Sequence, residues 1–269
     1  MFERCSMVRG SVELAYLTGG SGPVVVILHG LAGEAGEFVP TMNALSADFR
    51  VVALDQRGHG RSTRRPADVS REAFVQDVVA LVEHVSPGQP VHLVGQSMGA
   101  HTAMLVAAAR PDLVGLLVVL EGDAGSGTSD DAASLGRYFA SWPVPFADAA
   151  AAREFLGESP IVDAWVAALE IKEDGLWPRF DADIMESCIR HVMVPRWQEW
   201  AAVQAQSLVV YGGKGMFSEE QKVAFVGSRP GTLRVDLLGA GHDAHLDQCE
   251  HWIEVLQGYL SESLADSDR

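Results

Sequence analysis

Between the apolar run Val91–Val94 and the helix-like stretch Ala100–Ala109 stands the sequence Gly95-Gln96-Ser97-Met98-Gly99. A G-x-S-x-G segment placed between a strand and a helix forms a nucleophile elbow. The turn is so sharp that the serine is held in a strained conformation, and the flanking glycines let neighbouring backbone pass close by. The five residues alone are a weak pattern in a glycine-rich chain. Their flanks make them informative, because they demand a strand that ends in a helix.

The rest of the chain continues that demand. Val12–Leu17, Val24–Leu28, Val51–Leu54 and Val114–Leu120 are apolar or β-branched runs of strand length. Between Ser70 and Val85 the residues Phe74, Val75, Val78, Val79, Val82 and Val85 recur at helical spacing. Alternating strands and helices predict an α/β fold with a mostly parallel sheet, helices on both faces and right-handed crossovers. The ligand crevice of such a sheet lies beyond the carboxyl ends of its strands. From Asp123 to about Ala205 the rhythm breaks. This stretch is helical in pattern and holds five of the six tryptophans, Trp142, Trp165, Trp177, Trp197 and Trp200. Leu208–Tyr211, a helix opening at Ser218, Leu233–Leu237 and a helix near Gln248–Leu260 resume the alternation. The expected organisation is a core in two parts, residues 1–122 and 206–269, with residues 123–205 inserted as a helical lid. The polar tail Ser261–Arg269 is expected to fray.

A serine hydroxyl attacks only when a base takes its proton. The base needs an orienting carboxylate, and the tetrahedral oxyanion needs fixed donors. Ser97 is the candidate nucleophile. The candidate base is His242, in the small-residue turn Gly239-Ala240-Gly241-His242-Asp243 after Leu233–Leu237, with His245 as the alternative. Backbone amides are the candidate oxyanion donors: Met98, which follows the nucleophile, and Leu31, in the turn His29-Gly30-Leu31-Ala32-Gly33.

Taken in order, His29-Gly30, the run Asp55-Gln56-Arg57-Gly58-His59-Gly60-Arg61-Ser62, Gly95–Gly99 and Gly241-His242 resemble the α/β-hydrolase superfamily, and within it the bacterial esterase-like serine hydrolases. The resemblance runs from about Val12 to Leu260, apart from the lid. It implies the α/β-hydrolase fold and a serine–histidine–acid triad, and it says little about the substrate. It also exposes a departure. Most such hydrolases carry the acid in a G-x-x-D turn after the strand that follows the lid, and here that turn is Gly212-Gly213-Lys214-Gly215. The other location known in the superfamily, as in some haloalkane dehalogenases, is the end of the strand before the lid. Glu121 stands there, in Leu120-Glu121-Gly122, with Asp123 as the alternative acid.

Each residue also admits a plainer role. Ser97 could cap a helix, Glu121 could pair with a surface arginine at a hinge, and His242 could bond to turn backbone. Asp55 is expected to bind loop backbone, His59 to pack, and His29 to shape the oxyanion turn. His84, His92, His101, His191 and His251 show no metal-ligand spacing and are assigned to surface or core. The lid tryptophans are read first as core anchors, with some of them lining the crevice.

Composition closes off other classes. The formal charge of −16 repels nucleic acid and anionic membranes. The three arginines of Arg61–Arg65 look like a solvated loop. No run of about 18 apolar residues is present. Cys5, Cys188 and Cys249 are few and scattered, which suits a reducing, cytoplasmic setting, and Met1–Gly10 has no secretory h-region. No phosphate-cradling motif or metal-ligand cluster is legible, so neither cofactor nor metal is expected. The expectation is a serine hydrolase that cleaves a small apolar carboxylic ester or lactone. A carbon–carbon bond hydrolase using the same Ser–His pair, or a small-molecule receptor with vestigial hydrolysis, are the alternatives. Oligomeric state is not readable.

Overall fold

The protein is described here from a computed structural model, in which residues 2–267 are described. Eight strands form one sheet: β1 (Glu3–Arg9), β2 (Val12–Gly19), β3 (Val24–Leu28), β4 (Arg50–Leu54), β5 (Val91–Gln96), β6 (Val114–Leu120), β9 (Gln206–Gly212) and β10 (Leu233–Leu237). Their spatial order is β1-β2-β4-β3-β5-β6-β9-β10. The pairs β1/β2 and β2/β4 are antiparallel, and the remaining five are parallel. The chain moves outward from β3 to β4, then crosses back to lay β5 on the other side of β3. That reversal opens the crevice in which ligands of open α/β sheets sit.

Burial follows the period of two expected of strands. Val24, Val26 and Leu28 face one apolar cluster, shared with α2 (Arg71–Val85), α3 (Met98–Ala109), α8 (Trp197–Ala202) and α9 (Glu219–Gly227). Val25 and Ile27 face another, filled by Phe38, Met42 and Leu45 from around α1 (Val39–Leu45) and by Trp252 and Leu256 of the last helix (Cys249–Ser267). Both faces are therefore covered, as a parallel sheet requires. Ser70 caps α2 by accepting from Ala73 N, and Ser218 with Gln221 forms a capping box on α9, the helix expected to open at Ser218.

Between β6 and β9 the chain leaves the sheet for α4 (Ser129–Ala140), α5 (Ala149–Leu156), α6 (Pro160–Ala168), the hairpin β7 (Glu170–Lys172)/β8 (Gly175–Trp177), α7 (Ala182–Val192) and α8. The hairpin departs from the wholly helical pattern expected there. Two three-residue strands are too short for a period-2 signal to stand out. Phe139, Trp142, Phe146 and Phe180 form this segment's own apolar cluster, with Trp165 packed against it. Trp200 stacks instead on Phe225, at 4.3 Å between ring centroids.

Three regions add to the sequence reading or depart from it. The charged N-terminal residues Glu3–Arg9 form the edge strand β1, paired along its length with β2. The Arg61–Arg65 loop is no idle solvated loop: Arg64 binds Asp181 Oδ1 and the carbonyls of Pro178 and Phe180, each at 2.8 Å, and Arg65 binds Asp181 and Asp183. It ties the inserted segment to the core. The tail, expected to fray, is assigned as helix through Ser267, while its last two residues, Asp268 and Arg269, lie outside the described residues, as does Met1. Among the described residues no helix is long and apolar enough to cross a membrane, and no cluster of three or more His, Cys, Asp or Glu side chains suits a metal ion. The three cysteines are unpaired.

Candidate active site

Ser97 sits at the junction of β5 and α3 with φ 52° and ψ −117°. A non-glycine residue there is strained by about 1–3 kcal/mol, and it persists only where the surroundings over-determine it. Here they do. Ser97 N donates to Leu120 O on the neighbouring strand at 2.9 Å, and Ser97 O accepts from His101 N at 3.0 Å as α3 begins. The helix enters against the end of β3 so closely that a Cβ at Gly99 would lie 2.2 Å from Leu28 O. Only glycine admits that approach.

Beyond β10 the chain turns through Gly239–Gly241 and presents His242. Its Nε2 is 2.9 Å from Ser97 Oγ, and its Nδ1 is 3.1 Å from Glu121 Oε2. A carboxylate only accepts, so the consistent tautomer carries its proton on Nδ1, and Nε2 accepts from the serine hydroxyl. The turn is pinned by Gln96 Nε2 donating to His242 O at 3.2 Å and by Gly241 N donating to Asp247 Oδ2 at 2.7 Å.

Glu121 is fully buried at the end of β6, with φ 47°. Its backbone is held by Glu121 N donating to Val210 O at 2.9 Å. Its carboxyl group reaches across to the end of β9, where Gly212 N donates to Oε1 at 2.6 Å and Met216 N to Oε2 at 3.2 Å. It occupies the space above Gly215, where a Cβ would stand 2.1 Å from Oε1. The glycine in the usual acid turn and the carboxylate on the preceding strand are thus two halves of one arrangement. Asp123, the alternative acid, accepts from Gly125 N at 2.8 Å and shapes the exit from β6. His245, the alternative base, is buried with its ring stacked on Phe38 at 4.4 Å and its Nε2 3.7 Å from Glu37 Oε1. It does not meet Ser97.

The turn after β3 lies directly beside the elbow: a Cβ at Gly30 would be 3.3 Å from Ser97 Cβ. His29 braces this turn, its Nδ1–H donating to Gly30 O at 2.7 Å while Nε2 accepts from Gln56 N at 2.9 Å. Burial lowers its pKa to about 4, so the ring stays neutral. Asp55 binds Ala35 N at 2.7 Å and Arg61 N at 2.9 Å, and His59 packs on His29 with its pKa lowered to about 3 by burial first and by His29 second. The three serve loop architecture.

Ser97, His242, Glu121 and Leu31 line a cavity of about 390 Å³. Its remaining wall comes largely from the inserted segment, with Tyr138 and Phe139 of α4, Ile161 and Trp165 of α6 and Ile189 of α7. Of the five tryptophans in that segment, Trp165 reaches the cavity, and Trp142 and Trp200 are buried anchors. Gln96 and His101 are among the wall residues that the sequence does not single out. Gln96 was seen only as a motif spacer, and its reach to the His242 turn has no local signal. His101 was assigned to surface or core; it is buried and forms part of this wall. Its spacing from Ser97, one helical turn along α3, was the available clue.

Residues 23–156 match the family model of the α/β hydrolase fold. The chain belongs to the α/β-hydrolase superfamily. A 112-residue stretch is 34% identical to 2-(acetamidomethylene)succinate hydrolase of Mesorhizobium japonicum, covering 42% of this chain and 40% of that protein. A 101-residue stretch is 43% identical to the sn-1-specific diacylglycerol lipase ABHD11 of Mus musculus, covering 37% and 32% respectively. The matched regions thus span two fifths or less of these curated relatives. The solved structure of E-2-(acetamidomethylene)succinate hydrolase superposes with a TM-score of 0.88 at 22% identity, covering 97% of this chain and all of the other. That likeness establishes the shared fold.

Proposed function

We propose that this protein is a cofactor-independent serine hydrolase that cleaves a carboxylic ester or lactone through an acyl-enzyme. The observation that carries the reading is the unbroken series Ser97 Oγ, His242 Nε2, His242 Nδ1, Glu121 Oε2, with links of 2.9 and 3.1 Å from residues 145 and 121 positions apart. Ser97 Oγ attacks the carbonyl carbon as its proton passes to His242 Nε2. Glu121 holds the ring in that tautomer and offsets the charge of the imidazolium. The oxyanion is received by the amides of Leu31 and Met98, the latter at the first turn of α3, where N–H groups have no intrahelical acceptor. His242 returns the proton to the leaving alcohol, activates water on the acyl carbonyl, and Ser97 is regenerated. Residues 123–205 act as a lid whose aromatic wall excludes bulk water and favours an apolar acyl or alcohol group. The unpaired cysteines support a reducing setting.

The test is fluorophosphonate labelling with p-nitrophenyl ester turnover, in wild type and Ser97→Ala. The variant should lose labelling and about 10⁶ of turnover. Wild-type turnover by the variant would falsify the assignment, and binding without labelling would support a receptor instead. The relatives' names cover both a lipase and a succinate-derivative hydrolase. The same assays should therefore include dienoic diketones: faster Ser97-dependent cleavage of these than of any ester would move the reading to carbon–carbon hydrolysis.

A further inference from the structure

The charge of the cavity wall restricts the substrate further than its apolar lining does. Among the described residues, the wall contains no lysine and no arginine. Apart from Glu121, which is committed to His242, it carries two more carboxyl groups, Asp123 and Asp243. Asp243 follows the proposed base directly and is half-buried; burial first, opposed by His242 and reinforced by Asp247 and Glu121, raises its pKa above the ordinary aspartate value. The one further basic side chain is the imidazole of His101, 1% exposed, whose two ring nitrogens have no hydrogen-bond partner among the described residues. Burial first, then the positive fields of Arg71 and Arg196, push its pKa well below the ordinary histidine range. It therefore supplies no formal charge at neutral pH. Arg71 itself is buried behind the wall, bound to Thr102 and Met98 O and lying over the Phe74 ring at 4.6 Å.

A carboxylate entering this space would lose its hydration with no cationic side chain on the wall to bond, and it would approach the carboxyl groups of Asp123 and Asp243. An ammonium group would meet Asp123 and Asp243 but would be stripped of water by Phe139, Ile161, Trp165 and Ile189. We propose that the cavity is built for an uncharged substrate and rejects carboxylate-bearing ones, with Asp123 and Asp243 as specificity-determining residues. This rests on the hydrolase reading above and narrows it. It separates the chain from relatives whose names specify a succinate derivative, despite the shared fold.

Three p-nitrophenyl esters of matched length test it: hexanoate, the adipate monoester and 6-aminohexanoate. A second series of acetates should carry the same end groups on the alcohol half. In at least one series, kcat/KM is expected to be highest for the uncharged member and at least about 100-fold lower for the carboxylated one. Asp123→Asn and Asp243→Asn should each narrow that gap, and the double variant should narrow it about tenfold. The ratio is the readout, so a general loss of turnover in a variant cancels. Equal or faster turnover of the carboxylated ester, an amino ester that is the fastest member, or a gap that survives both substitutions would overturn the inference. Fluorophosphonate labelling, run in parallel, keeps the two readings apart. Ser97-dependent labelling with the wrong ester ratios removes this inference alone, whereas no Ser97-dependent labelling removes the hydrolase reading itself. If no ester is turned over, protection of Ser97 from labelling by methyl hexanoate but not by monomethyl adipate is the expected result, and equal protection by both overturns it.

Discussion

The ends of the two adjacent strands β6 and β9 make an instructive pair. The end of β6 supplies a carboxyl group from a residue in a left-handed conformation, Glu121 at φ 47°. The end of β9 supplies the amides of Gly212 and Met216 that receive it, and a glycine that leaves it room. In the commoner pattern of this superfamily the second strand end would provide the acid itself. Here it provides the socket. What the imidazole requires is a carboxylate at one point in space. Two parallel neighbours about 4.8 Å apart can both reach that point, so the acid can change strands without moving the base.

The two ends can be made to fail separately. Glu121→Gln removes the charge and keeps the size, and it should lower kcat for a p-nitrophenyl ester by about 10⁴, close to the cost of removing the acid of a serine triad. A fall of less than tenfold would mean that the carboxylate of β6 does not serve His242. Gly215→Ala should displace that carboxylate without deleting it, since the new Cβ would lie 2.1 Å from Oε1. A loss of about 10- to 100-fold is expected, on the scale of small misplacements of catalytic groups. Placing the acid beyond β9 in a Glu121→Gly/Gly215→Asp variant, where the space over residue 215 is emptied, should recover part of the activity lost by Glu121→Gly alone. Asp123→Asn should cost less than about tenfold on an uncharged ester, because its carboxylate serves the Gly125 turn. If Asp123→Asn is crippled and Glu121→Gln is not, the assignment of the acid reverses.

The smallest effect concerns the loops that support both ends. His29 and His59 have folded pKa values of about 4 and about 3, below an unfolded value near 6.5. Unfolding then takes up protons as the pH drops. Their contribution to stability is complete above pH 6.5 and is lost as pH falls toward 4 and 3, by about 2 kcal/mol each at pH 5. Glu37 acts with the opposite sign, since burial raises its pKa and favours folding at lower pH. Urea melts at pH 7 and pH 5 should therefore be compared between wild type and His59→Gln, in which the acid-induced loss should shrink. An identical loss in both would show that His59 is not the sensitive group.

Much of this arrangement was legible in one dimension. The elbow was readable because its requirements are local: a strand, a sharp turn with small neighbours and a helix. The strands Val114–Leu120 and Leu233–Leu237 were readable to the residue for the same reason, the first as an almost continuous apolar run and the second as an alternation of apolar and charged residues. The edge strand Glu3–Arg9 was not, because a charged, half-exposed strand owes its existence to its partner rather than to its own pattern. The role of Arg64 was equally hidden, since its acceptors lie more than 110 positions away.

The linear order of residues thus determined the class of fold, the strained serine and the small set of groups able to work with it. All of these follow from short-range preferences of backbone and side chain. Tertiary structure alone decided which carboxylate meets the imidazole, that Gly215 makes room for it, and that the cavity wall lacks a formal cation. Those properties depend on distances between residues remote in sequence, which the packing of the sheet and its inserted segment sets and which no local pattern encodes.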